Sequence, residues 1–356
     1  MAKSRTRTQR QTSAKKDPRD TPAMRQYLRF KEEFPDCILF FRMGDFYEMF
    51  DADAKLVHRV LGLTLTERTS GIPMAGVPYH AAEGYLQRLI SDGYRVAICD
   101  QIQDPSEARG IVERAVTRVL TPGTLVDDSL LDAASTNATA LVVLDDQATI
   151  AAAELSTGRF DVMKVAHEDV LDTLIRLDPA ELLIRESDRE HPALEQVVNV
   201  MNCACTTRAD WLVDAIEGER ALKAQWGVAS LAGWGLEDDP AAAAAGGGLV
   251  RYLQETMPGA ENGLSHMQPP MLQTTSDTLR IDASTLRHLE IERTLRSGGT
   301  EGSLLDAVQS CVSSMGRRLL RDWLCWPLTD RAAVEKRHDM VDGLLTDPGT
   351  RDRLRD

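Results

Sequence analysis

Apolar residues in the first third of the chain fall in short blocks that predict alternating helices and strands. Thr21-Pro22 resembles a helix start, and Met24, Tyr27 and Leu28 follow at near-helical spacing. The continuous apolar run at residues 37–41 indicates a buried strand that Gly44 ends. Helices are also predicted at residues 49–61 and 82–92, strands at 95–99 and 113–120, and a Gly- and Pro-rich loop at 71–79. This alternation is typical of a small mixed α/β domain.

The pattern changes twice farther along the chain. Residues 126–135 are polar without periodicity, which predicts a linker, and a second α/β unit follows over residues 136–260. Residues 261–356 are mainly helical in pattern, with a buried helix predicted at 303–324 and another at 331–345. The predicted fold class is therefore α/β and α multidomain, with an all-helical last portion that looks incomplete.

Charge separates these segments further. The 356 residues carry a formal net charge of −14, and residues 133–260 hold 9 basic and 21 acidic side chains. We therefore expect the middle unit to lie away from a polyanion. Residues 1–16 hold six basic side chains and no acid, so residues 1–20 are predicted to be a disordered basic tail.

Several classes of protein and site are disfavoured by what the sequence lacks. There is no apolar run of the roughly 18 residues that a membrane span needs, and no secretory signal. We expect a cytoplasmic protein with reduced cysteines and no membrane association. No nucleotide P-loop, H-E-x-x-H or G-x-S-x-G motif occurs, so no catalytic or metal residue is predicted. Asp51 and Asp53 are interpreted as a solvated helix face rather than a metal site.

One segment, residues 40–50, combines aromatic and acidic residues at a glycine-marked junction after the predicted buried strand. From residue types alone, Phe46, Tyr47 and Phe50 are expected to pack under the next helix. The segment Arg42-Met43-Gly44-Asp45-Phe46-Tyr47-Glu48 nevertheless resembles the mismatch-recognition motif of the MutS family of DNA mismatch-repair proteins. Further blocks agree with that family in order and approximate spacing: residues 72–80, 96–101, 121–124, 281–283, 289–291, 315–320 and 323–328.

The resemblance implies roles for individual residues. Phe46 matches the aromatic ring that wedges beside a mispaired or unpaired base from the minor groove, and Glu48 matches the carboxylate that hydrogen-bonds that base. Supporting DNA contacts are implied for the following residues: Met43, Gly44, Arg68, Tyr79 and His80. Glu67 stands where the family usually has a basic residue, which weakens the case for a phosphate contact at Arg68.

The resemblance also implies domains and partners. Residues 21–125 would be the mismatch-recognition domain, 136–260 an RNase H-like connector, and 261–356 the start of the helical core, or lever. Mismatched double-stranded DNA is the expected ligand, and the repair protein MutL is expected to dock on the connector. ATP, Mg²⁺ and homodimerisation are expected for a longer parent protein with a C-terminal ATPase. This chain itself is expected to hold no cofactor and to have no enzymatic activity.

Two alternatives remain open at this stage. The middle unit could be a metal-dependent nuclease, because Asp145, Asp146, Glu154 and Asp161 are acidic and associated with predicted strands. The chain could instead bind branched DNA, although relatives of that kind tend to lack the Phe-x-Glu pair.

Overall fold

A computed structural model of the chain describes residues 19–67, 71–103, 111–125, 137–201, 203–257, 264–273, 278–279 and 281–353. The predicted tail up to residue 18, the predicted linker and Arg68 lie outside the described residues. Two compact units are present: residues 1–85 with 97–116, and residues 86–96 with 117–356. No helix in the described ranges is long and apolar enough to cross a membrane.

Residues 19–120 build a six-stranded mixed α/β arrangement. Its elements are α1 (Pro22–Glu33), β1 (Ile38–Met43), β2 (Phe46–Phe50), α2 (Asp51–Leu61), β3 (Thr66–Glu67), β4 (Pro73–Pro78), α3 (Ala82–Ser91), β5 (Val96–Gln101) and β6 (Arg114–Leu120). The strand order is β3-β4-β2-β1-β5-β6. Helix α1 begins as predicted, because the Thr21 side chain accepts a hydrogen bond from the Met24 amide at 3.3 Å.

Two predictions in this region are wrong. Residues 73–78 form strand β4 rather than a loop, because their backbone pairs with β2 and Ala75 and Val77 point into the core. The helix predicted from residue 49 begins only at Asp51, since Met49 and Phe50 complete strand β2. Proline and glycine in residues 71–79 concealed a strand that is stabilised by its neighbour rather than by local propensity.

The middle of the chain forms a second six-stranded mixed sheet. Its elements are β7 (Ala138–Leu144), β8 (Ala148–Glu154), β9 (Arg159–Val165), α4 (Val170–Leu177), β10 (Glu181–Arg185), α5 (Pro192–Val200), β11 (Ala204–Arg208), α6 (Ala215–Trp226), α7 (Pro240–Thr256) and β12 (Met271–Gln273). The order is β11-β10-β7-β8-β9-β12. Strands β7, β8 and β9 are antiparallel neighbours, whereas β10 is parallel to β7.

Helices cover both faces of this second sheet. Leu141 and Leu183 pack with residues of α6 and α7 on one face, and Val142 and Ile184 pack with residues of α4 and α5 on the other. Successive side chains along β7 therefore point alternately into the hydrophobic cores on the two faces of the sheet. This arrangement confirms the predicted α/β class of the middle unit.

The predicted all-helical portion, residues 261–356, also contains β12, which joins the second sheet. After β12, the elements of the described residues are short to medium helices: α8 (Ala283–His288), α9 (Leu304–Val308), α10 (Ser314–Cys325), α11 (Arg331–Thr346) and α12 (Pro348–Arg353). The single buried helix predicted at 303–324 is wrong. Ser303 and Ser313 each cap a separate helix by accepting a backbone amide hydrogen bond. Leu304 and Leu319 are exposed rather than buried. The helix predicted at 331–345 is confirmed.

Candidate nucleic-acid interface

A tight hairpin joins β1 to β2 and carries the residues that the sequence singled out. Met43 pairs with Phe46 across it, leaving Gly44 and Asp45 as the two-residue turn. Gly44 has a φ of +61°, in the region where side chains with a Cβ are strained. Glycine at the first turn position with positive φ is a common solution for two-residue hairpins. Gly44 is therefore required by the turn itself.

Phe46 and Glu48 lie two residues apart on β2, so their side chains leave the same face of the sheet. Phe46 is 46% exposed, and its cross-strand neighbours are Met43 and Pro78. Glu48 pairs with Gly76 on β4, which has no side chain on that face. An aromatic ring, a carboxylate and a bare stretch of backbone thus form one surface.

The other residues of β2 are fixed by burial and by contacts with neighbouring elements. Tyr47 points to the opposite face, is buried, and donates a hydrogen bond from its hydroxyl to Asp100 at 2.7 Å. Burial and the Asp100 carboxylate raise the pKa of Tyr47 to about 12. On the face of Phe46, Tyr27 of α1 makes edge contacts with Phe41 and Phe50. Helix α1 therefore covers the base of the hairpin.

The remaining predicted contact residues are mostly beside this surface. The Met43 sulfur accepts a hydrogen bond from Arg114 at 3.4 Å. Tyr79 is 46% exposed and follows β4 directly, with His80 edge-on to its ring at 5.7 Å between centroids. The structure brings together every predicted contact residue except Arg68, which lies outside the described part of the chain.

Two neighbouring residues were missed by sequence reasoning. Arg42 stacks its guanidinium on the Tyr79 ring, with 3.7 Å from Cζ to the ring centroid. Gly76 lies opposite Glu48 on β4, and a Cβ added there would sit 3.9 Å from Phe46 Cδ1 and 3.8 Å from Glu48 Cγ. Both residues belong to the sequence blocks that carry the family resemblance, so position within those blocks was the available signal.

Three of the four acids considered for a nuclease are occupied in other contacts, whereas Asp146 is exposed on the β7–β8 hairpin. Asp161 pairs with Arg159 at 2.5 Å, and Glu154 lies 3.5 Å from Arg318 and accepts from Thr157 at 2.8 Å. Asp145 pairs with Arg185 at 2.9 Å. Across the described ranges, no three His, Cys, Asp or Glu side chains are grouped to hold a metal ion. This arrangement favours a structural role for Asp145, Glu154 and Asp161.

The interpretation of Asp53 as a solvated residue is wrong. Its side chain is buried and accepts hydrogen bonds from the Tyr27 hydroxyl at 3.2 Å, the Leu39 amide at 3.0 Å and the Lys31 ammonium at 2.8 Å. Asp53 therefore ties α1 and β1 to α2. Burial of a carboxylate is tolerated because each oxygen has a donor.

Comparison with known proteins shows which family the chain resembles over most of its length. Residues 21–129 match MutS domain I, residues 138–268 match MutS domain II, and residues 284–356 match MutS domain III. The chain belongs to the MutS family. This MutS chain is 40% identical over 345 residues to the "DNA mismatch repair protein MutS" of Symbiobacterium thermophilum. The match covers 94% of this chain and 39% of that relative, so it spans well under half of the relative's length.

Proposed function

We propose that this MutS chain recognises mispaired or unpaired bases in duplex DNA, with Phe46 as an aromatic wedge and Glu48 as the group that reads the base. The observation that carries the proposal is the exposed Phe46 ring beside Glu48 at the tip of a rigid hairpin. A large apolar side chain at such a tip is better suited to insertion into another molecule than to its own core, which α1 already covers.

The physical chemistry of the two side chains supports a division of roles. Inserting a ring between base pairs costs the unstacking of one step, which is on the order of a few kcal/mol. That cost is smaller where pairing is already poor, so deformability becomes specificity. The Glu48 carboxylate is repelled by phosphates, which weakens binding to fully paired DNA. At a mismatch it accepts a hydrogen bond from an exposed base N–H.

The test compares binding of a duplex with one unpaired thymine against the matching homoduplex, by fluorescence anisotropy at fixed salt. We expect Phe46→Ala to lower affinity for the unpaired-base duplex about tenfold and to leave homoduplex affinity nearly unchanged. Glu48→Gln should raise homoduplex affinity, because it removes a negative charge near phosphates. Trp211→Ala is the control, since Trp211 is an exposed aromatic residue of the middle domain. Unchanged preference in Phe46→Ala would refute the wedge.

Further expectations about partners and ATP rest on the family resemblance alone. Docking of MutL on the middle domain, and ATP-dependent homodimerisation of a longer MutS protein, stay predictions from the resemblance. We propose no enzymatic activity for residues 1–356 themselves, and the pairing of Glu154 and Asp161 with arginines supports this.

A further inference from the structure

The turn that precedes Phe46 is held at both of its carbonyl groups. The Arg42 Nε donates a hydrogen bond to the Gly44 carbonyl. The Tyr79 amide donates to the Asp45 carbonyl at 2.9 Å. A two-residue turn has only these two central carbonyls, so neither of its central peptide groups is left to rotate freely.

Arg42 connects the two halves of this arrangement. In the strand register Arg42 pairs with Tyr47, so its side chain starts from the face opposite to Phe46. Its guanidinium carbon lies 3.7 Å from the Tyr79 ring centroid and 5.5 Å from that of Tyr47. Stacking of a planar cation on an aromatic ring is attractive and fixes the plane of the guanidinium. One side chain thereby joins the turn to the end of β4.

The backbone of Arg42 is also held by a hydrogen bond. The Arg42 carbonyl accepts a hydrogen bond from the Nε of Arg114 at 2.7 Å, and Arg114 is 5% exposed. Arg114 also donates to Gln26 of α1 at 3.2 Å. Arg42 is therefore fixed to the domain core through its backbone and to the hairpin tip through its side chain.

We propose that Arg42 is a positioning residue for mismatch recognition, which sets the direction of Phe46 by clamping the Gly44–Asp45 turn against Tyr79. Phe46 follows Asp45 directly, so any rotation of the turn peptides redirects its side chain. The proposal rests on the proposed function of Phe46, because a wedge must meet a base step at a defined angle. Arg42 acts from behind the wedge and needs no contact with a base.

The geometry separates this role from a simple charge effect. A lysine keeps the positive charge and would retain any general attraction to phosphates. It lacks the planar fork that donates to Gly44 while stacking on Tyr79. Arg42→Lys is therefore the decisive variant, and Tyr79→Leu and Tyr79→Phe test the ring, since only phenylalanine preserves the stacking surface.

The experiment uses the full chain with two readouts. Hydrogen exchange without DNA measures protection of the Tyr79 amide, and anisotropy measures affinities for the unpaired-thymine duplex and for the homoduplex. We expect Arg42→Lys to speed exchange at Tyr79 and to lower affinity for the unpaired-base duplex about fivefold, with homoduplex affinity within about twofold. At the exchange readout, Tyr79→Leu should also speed exchange at position 79, and Tyr79→Phe should keep wild-type protection, because only phenylalanine preserves the ring under Arg42. Arg29→Lys is the matched control, because Arg29 also stacks on an aromatic ring, that of Phe30, but within α1 rather than on Tyr79.

Each contrary outcome has a distinct meaning. Unchanged Tyr79 exchange in Arg42→Lys would overturn the clamp, whatever the DNA results. Faster exchange with unchanged discrimination would overturn the positioning role, because the turn would then not control the wedge. If the wild type and Phe46→Ala both failed to prefer the unpaired base, the proposed function would fail, and the positioning role with it, while the exchange data would still report the clamp itself.

Discussion

Glu48 lies directly opposite Gly76 of the neighbouring strand β4, and Phe46 leaves the same face of β2 two residues earlier. A Cβ at Gly76 would be 3.9 Å from Phe46 Cδ1 and 3.8 Å from Glu48 Cγ, which are ordinary contact distances. A methyl group therefore fits without moving either side chain. A larger side chain would extend outward from that point into the space between the ring and the carboxylate.

This relationship predicts a graded effect of substitutions at Gly76. We expect Gly76→Ala to keep near wild-type preference for an unpaired base, and Gly76→Leu to reduce that preference about tenfold by occupying the surface that the base would approach. Paired anisotropy titrations with unpaired-base duplex and homoduplex measure the effect. Thermal unfolding of both variants checks that the domain stays folded. Full retention of preference in Gly76→Leu would mean that the base does not approach between Phe46 and Glu48.

Local sequence signals were sufficient for much of the first domain. The Thr21 cap and the apolar run before Gly44 predicted α1 and β1 correctly, because both depend on residues close in sequence. Strand β4 was not predicted, because its prolines and glycine disfavour a strand locally and its stability comes from pairing with β2. The same reason applies to Gly76, whose importance appears only when β2 and β4 are adjacent.

The family resemblance singled out Phe46 and Glu48 as predicted site residues, whereas residue types alone favoured packing of Phe46 under a helix. The structure leaves Phe46 46% exposed, whereas Phe41 and Phe50 are buried against Tyr27 of α1. Arg42 lies in a block that carries the family resemblance, but its stacking on Tyr79, which lies 37 positions later, could not be predicted from local sequence. Apolar spacing also failed at residues 303–324, because two serine caps divided the pattern.

The buried Tyr47 hydroxyl predicts a loss of stability at alkaline pH. Its pKa is raised from 10.0 to about 12 by burial and by Asp100. The raised pKa means that the folded state favours the protonated phenol. This contribution is fully present below pH 10 and is lost as the pH rises towards about 12. Urea unfolding measured across this pH range should therefore show that the free energy of unfolding falls more steeply for the wild type than for Tyr47→Phe.

At neutral pH the same variant should be less stable by about 0.5–1.5 kcal/mol, because the hydrogen bond to Asp100 is lost. The residual alkaline decline in Tyr47→Phe reports the other groups whose pKa values burial raises, among them Tyr27, Tyr252, Cys99 and Cys325. If the free energy of unfolding fell equally with pH in the two proteins, the pKa of Tyr47 would not be raised in the folded state.

Helices α6 and α7 are in contact through glycine residues. This contact predicts that alanine substitutions at two adjacent positions in α7 differ sharply in their effect on stability. A Cβ at Gly247 would lie 2.2 Å from the Gly218 Cα, a backbone atom that cannot move away cheaply. A Cβ at Gly246 would meet Val162 at 3.4 Å, an ordinary contact. We expect Gly247→Ala to destabilise the chain by about 3 kcal/mol, and Gly246→Ala to lie within about 1 kcal/mol of the wild type. Urea unfolding of the two variants decides this, and equal stabilities would contradict the close approach of the helices.

The ion pairs of the middle domain predict that divalent metal ions do not change its melting temperature. Asp161 is bound by Arg159 and also accepts a hydrogen bond from Gln273 at 2.8 Å. Arg159 in turn pairs with Asp322 of α10. A metal ion would have to displace an arginine from a largely enclosed carboxylate, which costs the existing pair without supplying further protein ligands. We expect millimolar Mg²⁺ or Mn²⁺ to cause no rise in melting temperature and no cleavage of duplex DNA.

Asp161→Asn separates the structural role from a catalytic one. If Asp161 serves the ion pair, the variant melts at a lower temperature because Arg159 loses one carboxylate, and nicking of supercoiled plasmid is absent in both proteins. Asp146→Asn is the matched control, since Asp146 is an exposed hairpin residue, and it should melt like the wild type. Metal-dependent nicking by the wild type that disappears in Asp161→Asn would instead establish the nuclease alternative, because loss of an ion pair does not create a requirement for metal.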